Sequence, residues 1–506
     1  MAYPKQVVSL PSGKGLGGTS NVNSMIYTRG SPYDYDRLGE LGINGWSYSD
    51  VLEVFKRMEN YTVPHRREDH EFHGFDGLQT VSTPLFRTPM ADAFLQAGNE
   101  LGYYQVDCNA KYQIGFTRPP VNIKDGVRWG SYRAYLETAR KNRANLHVIT
   151  DAIVTKIRFD RTKKATGVEF KKGDYKCSLS VRKEVIVSAG ALRSPQLLMV
   201  SGVGPRKQLD DFKIPVVHEL PGVGQNLKDH VLVMGINFNL NQNVSINFTR
   251  LNTSRNYKLW QQTRTGLGPM TSSNGVEGIS FFRSTSEKLK NHPQHHPAFE
   301  ISFFSDKGVS SDFFAPEFRN SFIFENGKDA VSLIPILLQT QSVGQVRLRS
   351  ADATENPIVD PKYLSNTADV DLLLEVLKIA LTIGKSNAFQ KFGAQLIKFG
   401  SIPGCDGLLS DSDEFWRCFI RRFSCAGYHF TGTCKMSASN DSMGVVDSRL
   451  KVRGLHGLRV ADASVMPESP AGHTHAVALL VGERVAEFIK QDYGWNHQQT
   501  LKFKLN

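Results

Sequence analysis

The sequence predicts a mixed α/β fold in which strand–turn–helix units accompany a long antiparallel sheet. Apolar strands are predicted at residues 184–188 and 457–464, and small residues stand at the end of each. Residues 231–350 alternate polar and apolar segments with many phenylalanines, which is typical of antiparallel strands joined by long loops. A helix is predicted at residues 371–385, where leucine and isoleucine recur at helical spacing. The chain of 506 residues is long enough for two or three compact units.

The chain opens on a glycine-rich loop in which Gly13, Gly15 and Gly18 satisfy the G-x-G-x-x-G pattern. In a dinucleotide-binding unit this pattern stands between a strand and a helix, and a second strand ends in an acidic residue. Here only a thin strand candidate at residues 7–10 and one turn of helical spacing at residues 22–26 surround it. We therefore expect no complete βαβ unit, and a loop that contacts a ligand from another direction.

Two turns carry stronger signals for ligand binding. After the first strand, a turn of small residues at 189–191 precedes Ser194, a predicted helix N-cap, and Pro195, the predicted first helical residue. After the second strand, Asp462 stands between alanines, an arrangement that suits a hydroxylated cofactor or ligand at the end of a strand. A closing amphipathic helix is predicted at residues 475–490.

The net charge of +12 comes partly from lysines crowded into residues 156–183. Alternating strands at 153–157 and 166–170 predict a solvated hairpin there, so we expect no nucleic-acid partner. The sequence has no run of 18 apolar residues, and we expect no membrane span.

The six cysteines form no C-x-x-C pair, and no metal site is predicted. One disulfide among Cys418, Cys425 and Cys434 is possible, although buried free thiols explain them equally well. Sequons suggest an exposed loop and an extracellular, secreted glycoprotein; they stand at Asn60, Asn243, Asn247, Asn252 and Asn440.

His429 and His473 both stand in glycine-bearing turns rather than on apolar helix faces. Imidazole changes protonation near neutral pH, so it suits general-base work on an alcohol. A structural or surface role is the competing interpretation for each histidine.

Four stretches resemble, in order, conserved blocks of the glucose–methanol–choline (GMC) family of FAD oxidoreductases, in the style of insect glucose dehydrogenases; they are residues 13–30, 190–205, 222–230 and 428–436. The resemblance implies a discontinuous, incomplete Rossmann-like FAD-binding domain, lacking the N-terminal βαβ unit, at 1–35, 130–230 and 430–506. It implies a substrate-binding domain with an antiparallel sheet at 36–129 and 231–429. The family's N-terminal and C-terminal regions would span about 1–240 and 342–485.

The resemblance also implies roles for single residues. His429 and His473 would be catalytic. Residues implied to bind FAD are Gly15, Gly17, Gly18, Thr19, Asn23, Val154, Asp462, Ala463 and His475.

The implied activity is oxidation of a CH–OH group in a sugar, sterol or other alcohol, with hydride transfer to flavin N5 and a histidine as base. Oxygen or a quinone would accept the electrons. Two alternatives remain: a short form without FAD that acts as a secreted binding or structural protein, and a nicotinamide enzyme that uses Gly13, Gly15 and Gly18.

Overall fold

A computed structural model of the chain describes residues 10–263, 268–289, 292–307, 316–318 and 320–495, and it has the predicted mixed α/β fold. Its α-helices are α1 (Pro32–Glu40), α2 (Tyr48–Met58), α3 (Pro89–Glu100), α4 (Glu137–Asn142), α5 (Arg193–Val200), α6 (Arg206–Asp211), α7 (Phe248–Leu251), α8 (Ser254–Thr263), α9 (Thr367–Gly384), α10 (Asn387–Gln390), α11 (Asp413–Phe423) and α12 (Thr474–Asp492). Among the described helices, none has both the length and the apolar character needed to cross a membrane.

The strands of the first half are β1 (Glu59–Tyr61), β2 (Gln79–Val81), β3 (Gly115–Thr117), β4 (Ile123–Lys124), β5 (Val127–Arg128), β6 (Ala152–Phe159), β7 (Ala165–Lys172), β8 (Tyr175–Ser180), β9 (Val185–Val187), β10 (Val203–Gly204), β11 (His218–Glu219), β12 (Val231–Val233) and β13 (Asn237–Asn239). Those of the second half are β14 (Val276–Phe282), β15 (Phe299–Phe304), β16 (Phe322–Ile323), β17 (Ala330–Leu337), β18 (Gln345–Arg347), β19 (Ile358–Asp360), β20 (Gln395–Leu396), β21 (Lys398–Phe399), β22 (Ser424–Ala426) and β23 (Leu458–Val460).

An eight-stranded antiparallel sheet organises the middle of the chain, as the alternating pattern predicted. Its order is β20–β13–β17–β15–β14–β3, and β12 pairs with both β17 and β22. Every residue of β17 is buried, and α9 packs against this strand. The sheet, α3, α9 and α11 share one hydrophobic core. This arrangement buries strand β15, which supplies a carboxylate to the candidate site.

A parallel pair of short strands, β9 and β23, forms the second structural centre. Val185 pairs with Leu458 and Val187 with Val460. Helices α5 and α12 contribute to the core around this pair. Because the strands are parallel, the turns that follow them meet at one edge. The two predicted strands are confirmed, although both are shorter than the predicted ranges.

The start of α5 differs from the sequence prediction. The helix begins at Arg193, one residue before Ser194, and its N-cap is Leu192. The Ser194 hydroxyl instead donates a hydrogen bond to Asp462 Oδ2 at 2.5 Å. The predicted N-cap role is therefore wrong, because this hydroxyl is used in a long-range contact between the two strand ends.

The predicted helical turn at residues 22–26 is also wrong. A short 3₁₀ turn occupies Gly18–Asn21 instead, and Met25 has a φ of 61°. Ile26 forms a bridge with Val121, so the segment is extended. The strand candidate at 7–10 lies outside the described residues except for its last position, which is not in a strand.

The lysine-rich hairpin is confirmed. Strands β6 and β7 are antiparallel, with Ile157 opposite Val168, and β8 completes the sheet. Lys163 and Lys164 lie exposed in the turn. The predicted helices at 371–385 and 475–490 are likewise confirmed as α9 and α12.

A disulfide joins Cys405 to Cys418, with the Cα atoms 5.8 Å apart. The pair considered within residues 418–434 is therefore not formed, and the alternative of buried free thiols is confirmed for two of these three cysteines. Cys425 and Cys434 are free and buried. Cys425 lies in strand β22, and Cys434 lies in the hydrophobic core around β9 and β23. Cys418 lies on α11, beside the loop that holds Cys405.

Replacement of Cys418 by serine should lower the free energy of unfolding by about 3 kcal/mol, because the crosslink restricts the unfolded chain. Denaturant unfolding measures this loss. The matched control is Cys177→Ser, which removes a free thiol on β8 and should change stability by less than about 0.5 kcal/mol. Equal stabilities for the two variants would contradict the disulfide.

Candidate active site

The two histidines singled out in the sequence lie against each other. Their ring centroids are 4.7 Å apart and the ring planes are inclined by 81°. His429 lies in the turn after β22, and His473 is the N-cap residue of α12. The fold thus brings together two side chains that are far apart in sequence.

A buried carboxylate holds the second histidine. Nε2 of His473 lies 3.1 Å from Oε1 of Glu300, which comes from β15. The Ser302 hydroxyl donates to the same oxygen at 2.7 Å. Burial alone would raise the pKa of Glu300, but attraction to His473 and these hydrogen bonds lower it below its usual value. Glu300 is therefore ionised at neutral pH and orients the His473 ring.

The main chain at His429 is held by Asp229. The backbone N–H of His429 donates to Asp229 Oδ1 at 2.7 Å, and the Tyr363 hydroxyl donates to Oδ2. Burial raises the pKa of Asp229 to about 7. Tyr428, the residue before His429, has a φ of 61°, a conformation that needs such support in a residue with a side chain.

The loop before His473 is held by residues near the start of the chain. The backbone N–H of His473 donates to the Thr28 hydroxyl at 2.6 Å. The N–H of Ala471 donates to Asp34 Oδ2 at 2.8 Å, and Gln113 Nε2 donates to the Ala471 carbonyl at 2.5 Å. Three side chains from separate segments therefore fix the position of one catalytic candidate.

Burial controls the charge of the site's histidines. It lowers the pKa of His429 well below the usual 6.5, and the neighbouring His473 and His230 lower it further. Burial also lowers the pKa of His475 to about 4, with a contribution from Arg128. His429 and His475 are consequently neutral at pH 7, and a neutral imidazole has a lone pair that can accept a proton.

The glycine loop near the start of the chain leaves room for a ligand. A Cβ atom built on Gly15 or Gly18 would have no atom within 4 Å, whereas one on Gly17 would contact Asn21 and Tyr132 at about 3 Å. The 3₁₀ turn Gly18–Asn21 begins directly after Gly17, whose φ is 96°. The predicted residue Thr19 lies in this turn, and its hydroxyl accepts from the Gly13 N–H at 3.3 Å.

Arg128 connects this loop to the start of α12. Its Nη1 donates to Asn23 Oδ1 and to the Asn23 carbonyl, both at 2.8 Å, and its charge acts on His475. Nε2 of His475 is buried and has no hydrogen-bond partner among the described residues. A bound polar group would satisfy that nitrogen.

A second open turn lies where β9 and β23 end. Gly190 has a φ of 85°, and a Cβ built there would have no atom within 4 Å. Its N–H donates to Asp462 Oδ2 at 2.9 Å, and Asp462 also caps the 3₁₀ turn Ala463–Val465. The Thr433 hydroxyl donates to the Ala191 carbonyl at 2.6 Å. The segment that carries His429 therefore contacts this turn through Thr433.

Val154 stands apart from the other predicted residues. It lies on β6 with a side chain that is 39% exposed, and no described contact connects it to the glycine loop or to the histidines. Its assignment to the adenine of FAD stays a prediction.

The sequence analysis missed three residues of the site: Glu300, Asp229 and His230. Asp229 and His230 close a sequence block that was singled out without a role for either residue. Glu300 lies within strand β15, where the other residues are apolar or aromatic except Ser302, and a lone acid in such a strand was the available signal.

A cleft of about 340 Å³ lies beside the loop that carries the histidines. Asp34, Ser469 and Pro470 are among the residues that line it. The Ser469 hydroxyl lies 3.3 Å from the His429 carbonyl, so one wall of the cleft contacts the backbone of the site.

Comparison with known proteins connects this geometry to a family. Two family models, both described as GMC oxidoreductase, match residues 1–232 and 340–482. The chain is 35% identical to the glucose dehydrogenase (FAD, quinone) of Drosophila pseudoobscura pseudoobscura, over 96% of this chain and 75% of that protein. It is 33% identical to the oxygen-dependent choline dehydrogenase of Brucella anthropi, over 95% of this chain and 82% of that protein.

Solved structures give the same result. Pyridoxine 4-oxidase from Mesorbium loti matches with a TM-score of 0.78 and 26% identity, over 96% of this chain and 85% of that chain. An FAD-dependent oxidoreductase from Chaetomium thermophilum matches with a TM-score of 0.83 and 25% identity, over 97% of this chain and 88% of that chain. The chain therefore belongs to the GMC oxidoreductase family, as its sequence motifs predicted.

Proposed function

We propose that this protein oxidises the CH–OH group of a small alcohol, with His429 as the base that accepts the hydroxyl proton. The observation that carries the proposal is the neutral ring of His429 beside His473, whose own ring is held by Glu300. An uncharged imidazole next to an oriented second imidazole suits proton removal from an alcohol. The enzyme is a GMC oxidoreductase, and its cofactor is FAD.

The residues present fit FAD at two places. The open backbone at Gly15, Gly18 and Gly190 leaves room for close approach of a ligand, and the unpartnered Nε2 of His475 offers it a hydrogen bond. The start of α12 favours negative charge nearby, as in many phosphate-binding sites. We assign the cofactor to these positions together with Asp462. When bound, FAD supplies the acceptor for the hydride that leaves the alcohol carbon.

His429 and His473 have different proposed roles at the substrate hydroxyl group. His429 removes the proton, because its ring is neutral at pH 7. The contact of His473 Nε2 with the carboxylate of Glu300 fixes the orientation of this ring, so that it lies beside His429 and the substrate hydroxyl.

The substrate class remains that of small alcohols, including sugars and sterols, and the electron acceptor is oxygen or a quinone. Two similar proteins support this range: one relative is named a glucose dehydrogenase with FAD and quinone, and another an oxygen-dependent choline dehydrogenase. The cleft lined by Ser469 and Pro470 is our candidate route for the alcohol, because it lies beside the histidine loop.

We also propose that the protein works outside the cell. The disulfide between Cys405 and Cys418 supports this location, because such bonds persist mainly in oxidising compartments. The exposed sequon residues Asn243, Asn252 and Asn440 are available for glycosylation there.

The proposed function is tested with the full chain purified in the presence of FAD. A visible flavin spectrum near one FAD per chain, bleached anaerobically by a member of a panel of sugars, sterols and simple alcohols, is the expected result. A purified, folded chain without flavin would contradict the proposal and favour the alternative of a binding or structural protein.

Replacement of His429 by alanine should slow alcohol-dependent flavin reduction by about 10²–10⁴-fold, the usual effect of removing a general base. Stopped-flow absorbance measures this rate. The control is His456→Ala, which removes an exposed histidine outside the site and should leave the rate unchanged. An unchanged rate for His429→Ala would show that another group accepts the proton.

The rate of flavin reduction should stay constant as pH falls through 6.5, the ordinary histidine pKa. The pKa of His429 is lowered, so its neutral form, which is the active one, persists below that pH and is lost only in more acidic solution. Stopped-flow rates between about pH 8 and pH 5 give the profile. A half-maximal rate at pH 6.5 or above would contradict a buried neutral base.

Replacement of Gly190 by alanine should weaken FAD binding at least about tenfold, because the new methyl group projects into the space assigned to the cofactor. Fluorescence titration with FAD measures the affinity. Gly173→Ala is the matched control, since this glycine also has a positive φ and open surroundings but lies in the β7–β8 turn. Both variants should lose about 1 kcal/mol of stability. Equal FAD affinities would place the cofactor elsewhere.

A further inference from the structure

His230 lies against the ring of His429. Their Nδ1 atoms are 2.9 Å apart, and the ring planes are inclined by 78° with centroids 5.0 Å apart. His230 is fully buried. The proposed mechanism does not use it, although it ends one of the sequence blocks that resemble the family.

The strand pairing fixes this contact. His230 directly precedes β12, and Val231 on that strand pairs with Ala426 on β22. The carbonyl of His230 accepts from the Gly427 N–H at 2.8 Å. Because the chain turns from Gly427 into His429, the backbone register of one sheet brings the two imidazoles together.

Both rings are neutral at pH 7. Burial lowers the pKa of His230 to about 3 and that of His429 well below 6.5. Each neutral imidazole carries one N–H and one bare nitrogen. A hydrogen bond between the two Nδ1 atoms therefore requires that one ring donates and the other accepts.

The two arrangements have different chemical consequences. If His230 donates, Nδ1 of His429 is used as the acceptor and its proton stays on Nε2, so no lone pair is left for the hydroxyl proton. If His429 donates, its proton stays on Nδ1 and its Nε2 is bare. Only the second arrangement lets His429 act as a base.

The groups around His230 are consistent with the second arrangement. Burial, together with the neighbouring His473, outweighs the charge of Glu300 and opposes a second proton on the His230 ring, so this ring carries a single N–H at pH 7. Nε2 of His230 makes no hydrogen bond among the described residues. Because Nδ1 faces His429, Nε2 is the nitrogen that can hold the proton of His230 without breaking the contact between the rings.

We propose that His230 is a positioning residue that accepts a hydrogen bond from the Nδ1–H of His429 and so keeps Nε2 of His429 free for the hydroxyl proton. The inference rests on the proposed function. In the proton transfer, the O–H bond of the alcohol breaks and an N–H bond forms at Nε2 of His429. The resulting imidazolium still donates from Nδ1 to His230, and a hydrogen bond from a charged donor is stronger than that of the neutral ring.

Nitrogen NMR of the full chain labelled with ¹⁵N-histidine reads the tautomer directly. The His429 signals are assigned by their loss in His429→Asn. We expect a protonated Nδ1 and a bare Nε2 in the unsubstituted protein at pH 7. A protonated Nε2 on His429 would overturn the proposal, whether or not any alcohol is oxidised.

Two substitutions test the consequence for the rate. His230→Phe keeps a ring of similar size but has no acceptor, and it should lower the limiting rate of flavin reduction about 10- to 100-fold with little change in KM. His230→Gln offers a carbonyl acceptor and should recover most of that loss. The ¹⁵N spectrum of His230→Phe should show the Nε2–H form of His429, whereas His456→Phe, a change at an exposed position, should leave the His429 signals unchanged.

The outcomes separate the two proposals. A protein that oxidises alcohols but keeps its full rate in a folded His230→Phe variant would overturn the role of His230 and leave the proposed function intact. A protein with the expected tautomer but no alcohol oxidation would overturn the proposed function alone. Should His230→Phe fail to fold, the tautomer of the unsubstituted protein and the rate of His230→Gln decide the question, and equal losses with either substitution would count against the proposal.

Discussion

His429 lies between two other imidazole rings, and no carboxylate among the described residues is paired with its ring. Burial, with the two neighbouring rings, therefore keeps it uncharged at neutral pH. The buried negative charge of the site lies on Glu300, which contacts His473 instead of His429. His473 therefore has a carboxylate partner, whereas His429 has none among the described residues. A base needs a free lone pair, whereas a residue that holds the substrate needs a fixed orientation. This difference in surroundings would let two identical side chains serve the two roles proposed for them.

Rigid surroundings make this arrangement possible. The antiparallel sheet supplies Glu300 from β15 and brings His230 to His429 through the pairing of β12 with β22. The backbone N–H of His429 donates to Asp229 and that of His473 donates to Thr28, and these hydrogen bonds fix the two turns. The parallel strands β9 and β23 end at the open turn assigned to FAD, and Thr433 connects that turn to the His429 segment. The proposed positions of cofactor and base are therefore connected by one continuous framework.

Local signals in the sequence predicted much of the secondary structure and two histidines of the candidate site. Strands, the hairpin and the long helices follow from periodicity, and glycine turns around His429 and His473 pointed to the site. Contacts between distant segments could not be predicted from the sequence. The hydroxyl of Ser194 donates to Asp462 instead of capping its own helix, and Cys418 pairs with Cys405 rather than with a cysteine that follows it. Glu300 was hidden in an apolar strand, since only the fold shows that its carboxylate meets a histidine.

The central claim is that His429 is a neutral, half-buried imidazole in the folded protein. Its most direct test is a pH titration of the His429 ring signals by NMR in the full chain, independent of substrate and catalysis. The account predicts that the chemical shifts of His429 stay constant as pH passes through 6.5. A His429 ring that titrates with a midpoint near 6.5 would contradict it.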